Sequence, residues 1–172
     1  MLGKDYARQE CLIARALEVV GERWTLLIVR DAFFGVSRYS DFLVHLDIPR
    51  AVLSDRLKGL VDQGVLIRGP DPDRPGRDSY ALTPAGQDLW PVIYALKTWG
   101  ERHRADGDPR RLYKHLLCGG QLDGTAACPA CGTVPPPAEI EVSLSRDAAR
   151  RRDDPVSVAL RKPHRLLSPL NV

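Results

Sequence analysis

The sequence predicts a mainly α-helical fold carrying one small β-hairpin. Two observations predict it. Apolar residues recur at helical spacing in five successive stretches between Cys11 and His103, and a Pro/Gly-rich loop between two short β-prone runs interrupts them before the last stretch. A third observation, one His and three Cys closely spaced after the last helix, predicts a small knuckle, followed by an irregular tail. The expected organisation is a helical and hairpin domain at 1–105, a Cys/His appendix at 106–134, and a Pro-led, charged extension at 135–172.

A chain of 172 residues can bury one real core and a small appendix. Its 44% hydrophobic and 27% charged residues suit a globular protein and exclude a disordered one. The net charge of +3 neither demands nor excludes a nucleic-acid partner, so the placement of the cations decides. Residues 1–10 lack the apolar core of a secretion signal, and no apolar run is long enough to cross a bilayer. The expected compartment is the cytoplasm, where clustered thiols point to metal or redox chemistry more than to structural disulfides.

The first helix runs to Val20 with Leu12, Ile13, Ala16 and Leu17 at helical spacing, and Gly21 ends it. The second, from Arg23 to about Phe34, is apolar on most sides and should lie mid-fold. The third starts near Ser40 and buries Tyr39, Phe42, Leu43 and Leu46. After Asp47-Ile48-Pro49 the fourth runs to Gln63 with Leu53, Leu57, Leu60 and Val61 inward. Two helices joined by so tight a turn form a helix-turn-helix, whose second helix fits the major groove. Val65–Arg68 and Asp78–Leu82 are the strand candidates, and the loop between them carries Arg74 and Arg77. Thr83-Pro84 caps the fifth helix, in which Leu89, Val92, Ile93, Leu96 and Trp99 form a stripe and Pro91 should impose a bend. Trp90 and Tyr94 fall off that stripe, which suggests a subunit contact. The whole order is that of a winged helix-turn-helix.

Helix geometry sorts the candidate contacts to double-stranded DNA. With the leucines inward, Ala51, Asp55 and Lys58 point outward, flanked by Arg50 and Ser54. Arg50 suits bidentate pairing with guanine, whereas Ser54 and Lys58 suit phosphate or mixed contacts. Asp55 either accepts from cytosine or orients Arg56. Arg38 and Ser40 are phosphate candidates at the entry to the third helix, and Arg74 and Arg77 are those of the wing tip.

The chain resembles the HxlR-type winged helix-turn-helix regulators. The resemblance lies in Cys11 with Ala16-Leu-Glu-Val-Val-Gly-Glu-Arg-Trp24, Arg38-Tyr-Ser-Asp-Phe42, Val52-Leu-Ser-Asp-Arg-Leu-Lys-Gly-Leu60, Gly64-Val-Leu66 and Tyr80-Ala-Leu-Thr-Pro-Ala-Gly86. It implies a homodimer joined through the first and last helices, Leu12 among them, that represses or activates transcription; family habit favours a repressor. In some relatives the N-terminal Cys senses oxidants, which makes Cys11 a candidate redox sensor. Here Leu12 replaces the usual Pro after it, so the helix is expected to start earlier, near Asp5, and to take Cys11 away from the helix end that would activate its thiol.

His115, Cys118, Cys128 and Cys131 form an H-x2-C-x9-C-x2-C array with glycine after Cys118 and Cys131. Such Cys-Gly pairs turn backbone amides toward a metal-bound thiolate, and one His with three Cys would close a structural zinc site. A Cys128-Pro-Ala-Cys131 redox pair and a disulfide involving Cys118 are the alternatives. Two other functions compete with DNA regulation. An enzyme lacks support, with no H-x-E, H-E-x-x-H or phosphate loop in the sequence. A protein-binding adaptor would use the same fold. Trp24, Trp90 and Trp99 could line a pocket for a small-molecule effector, although core and dimer packing account for them more simply.

Overall fold

The computed structural model describes residue 6 and residues 10–105, 111–145 and 152–172. The expected helix start at Asp5, the boundary at 106–110 and the charged residues 146–151 lie outside them. Helices α1 (Leu12–Val20), α2 (Thr25–Phe33), α3 (Tyr39–Leu46) and α4 (Arg50–Asp62) precede a hairpin of β1 (Leu66–Pro70) and β2 (Asp78–Leu82). Then come α5 (Pro84–Gln87), α6 (Trp90–Arg104), β3 (Arg111–His115), β4 (Ile140–Leu144), α7 (Pro155–Ala159) and β5 (His164–Arg165).

As its composition predicts, α2 is the central helix, with Ile28, Val29 and Phe33 fully buried. Each such side chain contributes roughly 1.5–3 kcal/mol of burial free energy. Asp47, in the left-handed region at φ 52°, ends α3, and buried Ile48 pins the turn into α4. On α4 the inward residues are Leu53, Leu57 and Leu60, as the spacing predicts. The hairpin is antiparallel with Leu66 opposite Leu82 and Pro70 opposite Asp78. The Thr83 hydroxyl accepts from the Gly86 amide (3.1 Å), the expected N-cap.

Pro91 does more than bend the fifth helix: it splits it into α5 and α6 at Asp88-Leu89. Proline has no N–H to give the Gln87 carbonyl, and its ring would clash there, whereas early in α6 it is tolerated.

The faces of α6 differ in part from those expected: of the predicted stripe, Ile93 is buried and Leu89 packs against the core. Trp90 and Tyr94 are 4% and 3% exposed, buried inside the chain and not offered to a second copy. Val92, Leu96 and Trp99, expected in the core, are 43%, 49% and 53% exposed. The cause is a distant segment of chain. Tyr113 of β3 packs its ring against Trp90 and Tyr94, with centroids 5.7 and 5.4 Å away, and Trp90 meets Phe33 at 5.2 Å. Trp90 therefore belongs to an aromatic core, while Trp99 is flanked by His103 and Arg104.

The C-terminal region is more ordered than an irregular tail. Strands β3, β4 and β5 form an antiparallel sheet in that order, with Ile140 and Val142 of β4 buried. Helix α7, capped by Asp154 through the Ser157 amide (2.9 Å), lies on α3. The last residues strap the helical domain: Leu167 N–H donates to Phe33 O (2.8 Å) and Leu170 N–H to Gly35 O (3.0 Å). Gly35, at φ +81°, is required here, because a Cβ would stand 1.8 Å from Ser168 O. One buried cluster thus runs from Ile28 to Leu170 through all three segments.

Candidate nucleic-acid interface and metal centre

The outer face of α4 presents Arg50, Ala51, Ser54, Asp55 and Lys58, all exposed, beginning at the helix N-terminus. Arg56 is half-buried and engaged by Asp55 (2.6 Å) and Glu22 (2.8 Å), which ties α4 to the α1–α2 turn. Asp55, expected either to accept from cytosine or to orient Arg56, is in contact with the Arg56 guanidinium. Ser40 is exposed and donates to Asp41 (3.0 Å).

Arg38 is not available to phosphate. Its side chain is 12% exposed, with Nε 2.6 Å from Asp71 Oδ2 and Nη2 3.2 Å from Asp73. A guanidinium committed to two carboxylates has little positive potential left to offer an anion. It fastens the wing loop to the start of α3 instead. The next residue does the same for the other element: the Tyr39 hydroxyl donates to Arg50 O (3.0 Å) and lies 3.2 Å from Ser54 Oγ. Two adjacent side chains therefore gather the wing loop and the N-terminus of α4 around one point. Within the loop, Asp71 N–H donates to Arg77 O (2.8 Å), and Arg77 N–H to Arg74 O (3.1 Å), leaving both arginine side chains exposed. Asp71 was missed in the sequence, since a carboxylate in a Pro/Gly loop looks like any turn residue.

Cys11 also departs from expectation. Helix α1 begins at Leu12, so Cys11 flanks its start, extended and exposed, and does not lie within the helix. Leu12 is 87% exposed, and Ile13 and Leu17 are exposed beside it.

The four predicted metal ligands do converge. The donor atoms of His115, Cys118, Cys128 and Cys131 all lie within 4.8 Å of one another. His115 Nδ1 is 3.2 Å from Cys131 Sγ and 3.4 Å from Cys118 Sγ, and the sulfurs of Cys118 and Cys128 are 3.4 Å apart. Tetrahedral ligation at ordinary Zn–S and Zn–N lengths requires separations of about 3.5–3.8 Å, so these donors stand at metal-binding distance. A disulfide would need sulfurs about 2 Å apart. Gly119 and Gly132 are both left-handed at φ +71°, the knuckle turns that the Cys-Gly pairs predict. A Cβ on Gly120 would fall 2.6 Å from Cys128 Sγ, so the thiol cradle needs glycine there.

Two residues around the centre were not foreseen. Glu139 Oε2 is 3.3 Å from His115 Nε2, the ring nitrogen facing away from the sulfurs. The Thr133 hydroxyl and amide, hydrogen-bonded to Cys131 Sγ, bring that thiol down to about 6. Neither residue carries a sequence signature, because each reaches the centre through the fold.

Residues 19–108 match the family model described as HxlR-like helix-turn-helix. The chain belongs to that family. An uncharacterized HTH-type transcriptional regulator of Mycobacterium tuberculosis H37Rv is 47% identical over 122 residues, covering 70% of this chain and 77% of the relative. The Bacillus subtilis HTH-type regulator YvaP is 35% identical over 86 residues, covering 49% and 80%. Among solved structures, PA1607 is similar with TM-score 0.54 and 33% identity over 60% of this chain and 82% of that one. The redox regulator HypR in its oxidized form has TM-score 0.51 and 27% identity over 55% and 99%. The family match ends before β3, so the His/Cys cluster stands outside it. No helix among the described residues is long and apolar enough to cross a membrane.

The Arg38–Asp71 pair yields a prediction. Hydrogen bonding from Arg38 holds the Asp71 carboxyl below its ordinary value. A depressed carboxyl contributes stability that is complete above the unfolded pKa of about 3.9 and is lost as pH falls through its lower folded value. Wing amides at 71–77 should therefore keep their hydrogen-exchange protection from neutral pH to about pH 4. Asp71→Asn should lower that protection at pH 7 and leave α4 unchanged.

Proposed function

We propose that this chain is a homodimeric, sequence-specific DNA-binding transcriptional regulator, acting as a repressor. The observation that carries the reading is the joint anchoring of the α4 start and the wing loop by Tyr39 and Arg38. With α4 in the major groove, Arg50 reads a base edge while Ser54 and Lys58 meet the backbone, and Arg74 and Arg77 take adjacent phosphates. A dimer seated on promoter DNA excludes polymerase, hence repression. The exposed apolar faces of α1 (Leu12, Ile13, Leu17) and α6 (Val92, Leu96, Trp99) support pairing with a second copy. In this reading residues 1–105 bind DNA and dimerise, 106–134 hold a metal, and 135–172 strap the two together.

The occupant proposed for the Cys/His centre is zinc, in a structural role. Four protein donors close a tetrahedron and leave no position for substrate. His115 would ligate through Nδ1 and donate its Nε2 hydrogen to Glu139, which fixes ring and tautomer.

Arg50→Ala should cost about 1–3 kcal/mol on the preferred site and relax preference at one base position. Arg77→Ala should weaken all sequences alike and reduce the salt slope by about one unit. Gel-shift titrations on the chain's own upstream DNA at several salt concentrations separate the two effects, and an unchanged base preference in Arg50→Ala removes that residue from the readout. For the centre, elemental analysis of protein purified without chelator should give one zinc per chain. Glu139→Gln should keep that stoichiometry but bind roughly tenfold or more weakly in a competition titration.

A further inference from the structure

We propose that metal occupancy of the His115, Cys118, Cys128 and Cys131 centre sets the strength of the dimer, by bracing α6 from behind. The inference rests on the zinc and dimer readings above and assigns them a coupling. Helix α6 lies between two surfaces. One side carries Trp90, Tyr94 and Thr98, all buried. The opposite side carries Val92, Leu96 and Trp99, all exposed, and is the side proposed to meet the second copy.

The buried side is covered by the metal module. Tyr94 Oη donates to Asp123 O (2.8 Å), and a Cβ on Gly124 would lie 3.1 Å from Arg102 and 3.5 Å from Thr98, so that loop touches the helix directly. Lys97 Nζ sits 4.8 Å above the Tyr94 ring and 5.2 Å above Tyr113, joining helix and strand. The covering segment, 116–127, is bracketed in sequence by three of the four ligands. His115 also sets the end of β3 and Cys128 starts the return turn. So short a segment, with Leu122 and Ala126 its buried apolar side chains, has little core of its own. Metal ligation closes it, and the closed segment fixes the pitch and position of α6 through the Tyr94 and Thr98 contacts. Without the metal the segment loosens, and ordering α6 becomes an additional cost of dimerisation.

Linkage makes the coupling reciprocal. If zinc binds about tenfold tighter to a protomer in the dimer than to a free one, the two ions of a dimer strengthen association about 100-fold. The test uses the full-length chain, stripped of metal with a chelator and reloaded with zinc alone, followed by sedimentation equilibrium with zinc per chain measured in parallel. The dimer dissociation constant should rise about 100-fold on stripping and recover with zinc. The reverse arm needs no stripped protein for its folding: Leu96→Asp, monomeric through its charged exposed face, should still take one zinc but bind it about tenfold more weakly. Tyr94→Phe should keep one zinc per chain and show a smaller gain in association on zinc addition. One zinc per chain with equal dimer strength in both states, or Leu96→Asp with unchanged zinc affinity, overturns the coupling. A chain that takes no zinc overturns the metal reading, and a zinc-loaded chain that stays monomeric at every concentration overturns the dimer reading.

Discussion

The arrangement of this fold turns on Arg38. A nearly buried guanidinium paired with Asp71 at 2.6 Å is a fixed joint, because breaking it would leave a carboxylate that is 5% exposed without its counter-charge. Tyr39, one residue on, ties the start of α4 to the same helix end. Tyr80 N–H adds a third tie by donating to Ser37 O at 2.8 Å. Three consecutive residues before and at the start of α3 thus set the angle between a polar helix and a cationic loop. The residues proposed to touch DNA are the ones this joint leaves exposed, and the joint itself spends its charge on the protein.

Behind that face, the chain completes its core with a segment from beyond the family match. The sheet of β3, β4 and β5 contributes Tyr113, Ile140 and Val142 to a cluster anchored on Phe33 and Trp90. Helix α7 adds Val156 and a polar contact, where Asp154 meets the buried His45 of α3 at 3.1 Å and Asp31 of α2 faces that ring's other nitrogen at 3.8 Å. Those contacts hold the extension against α3 and α2. Burial alone would raise the Asp154 carboxyl, but hydrogen bonds from Ser157 and contact with His45 outweigh it and bring the group down to about 2, so its carboxylate stays charged through the ordinary pH range.

What was legible in the sequence followed from local periodicity. Leucine spacing gives the inward face of α4, Thr83-Pro84 gives a cap, and the His and Cys spacing gives a cluster whose atoms do meet. What was not legible depended on partners far along the chain. The apolar pattern of α6 fits two faces, and only Tyr113 and the loop at 121–127 decide that Trp90 and Tyr94 go inside. Arg38 looks like a phosphate ligand until Asp71 is seen beside it. Glu139 and Thr133 reach the thiol cluster through strand pairing and a turn, which no spacing rule encodes.

In the proposed complex α4 and the wing meet one duplex together, once in each of two copies. Hydroxyl-radical footprinting on the upstream DNA reads this arrangement. Two half-sites are expected, centred about 34–36 Å apart or a multiple of that, each with one protected patch along the major groove and a second on the flanking backbone. A single patch per half-site, or two patches on opposite sides of the duplex, would contradict it.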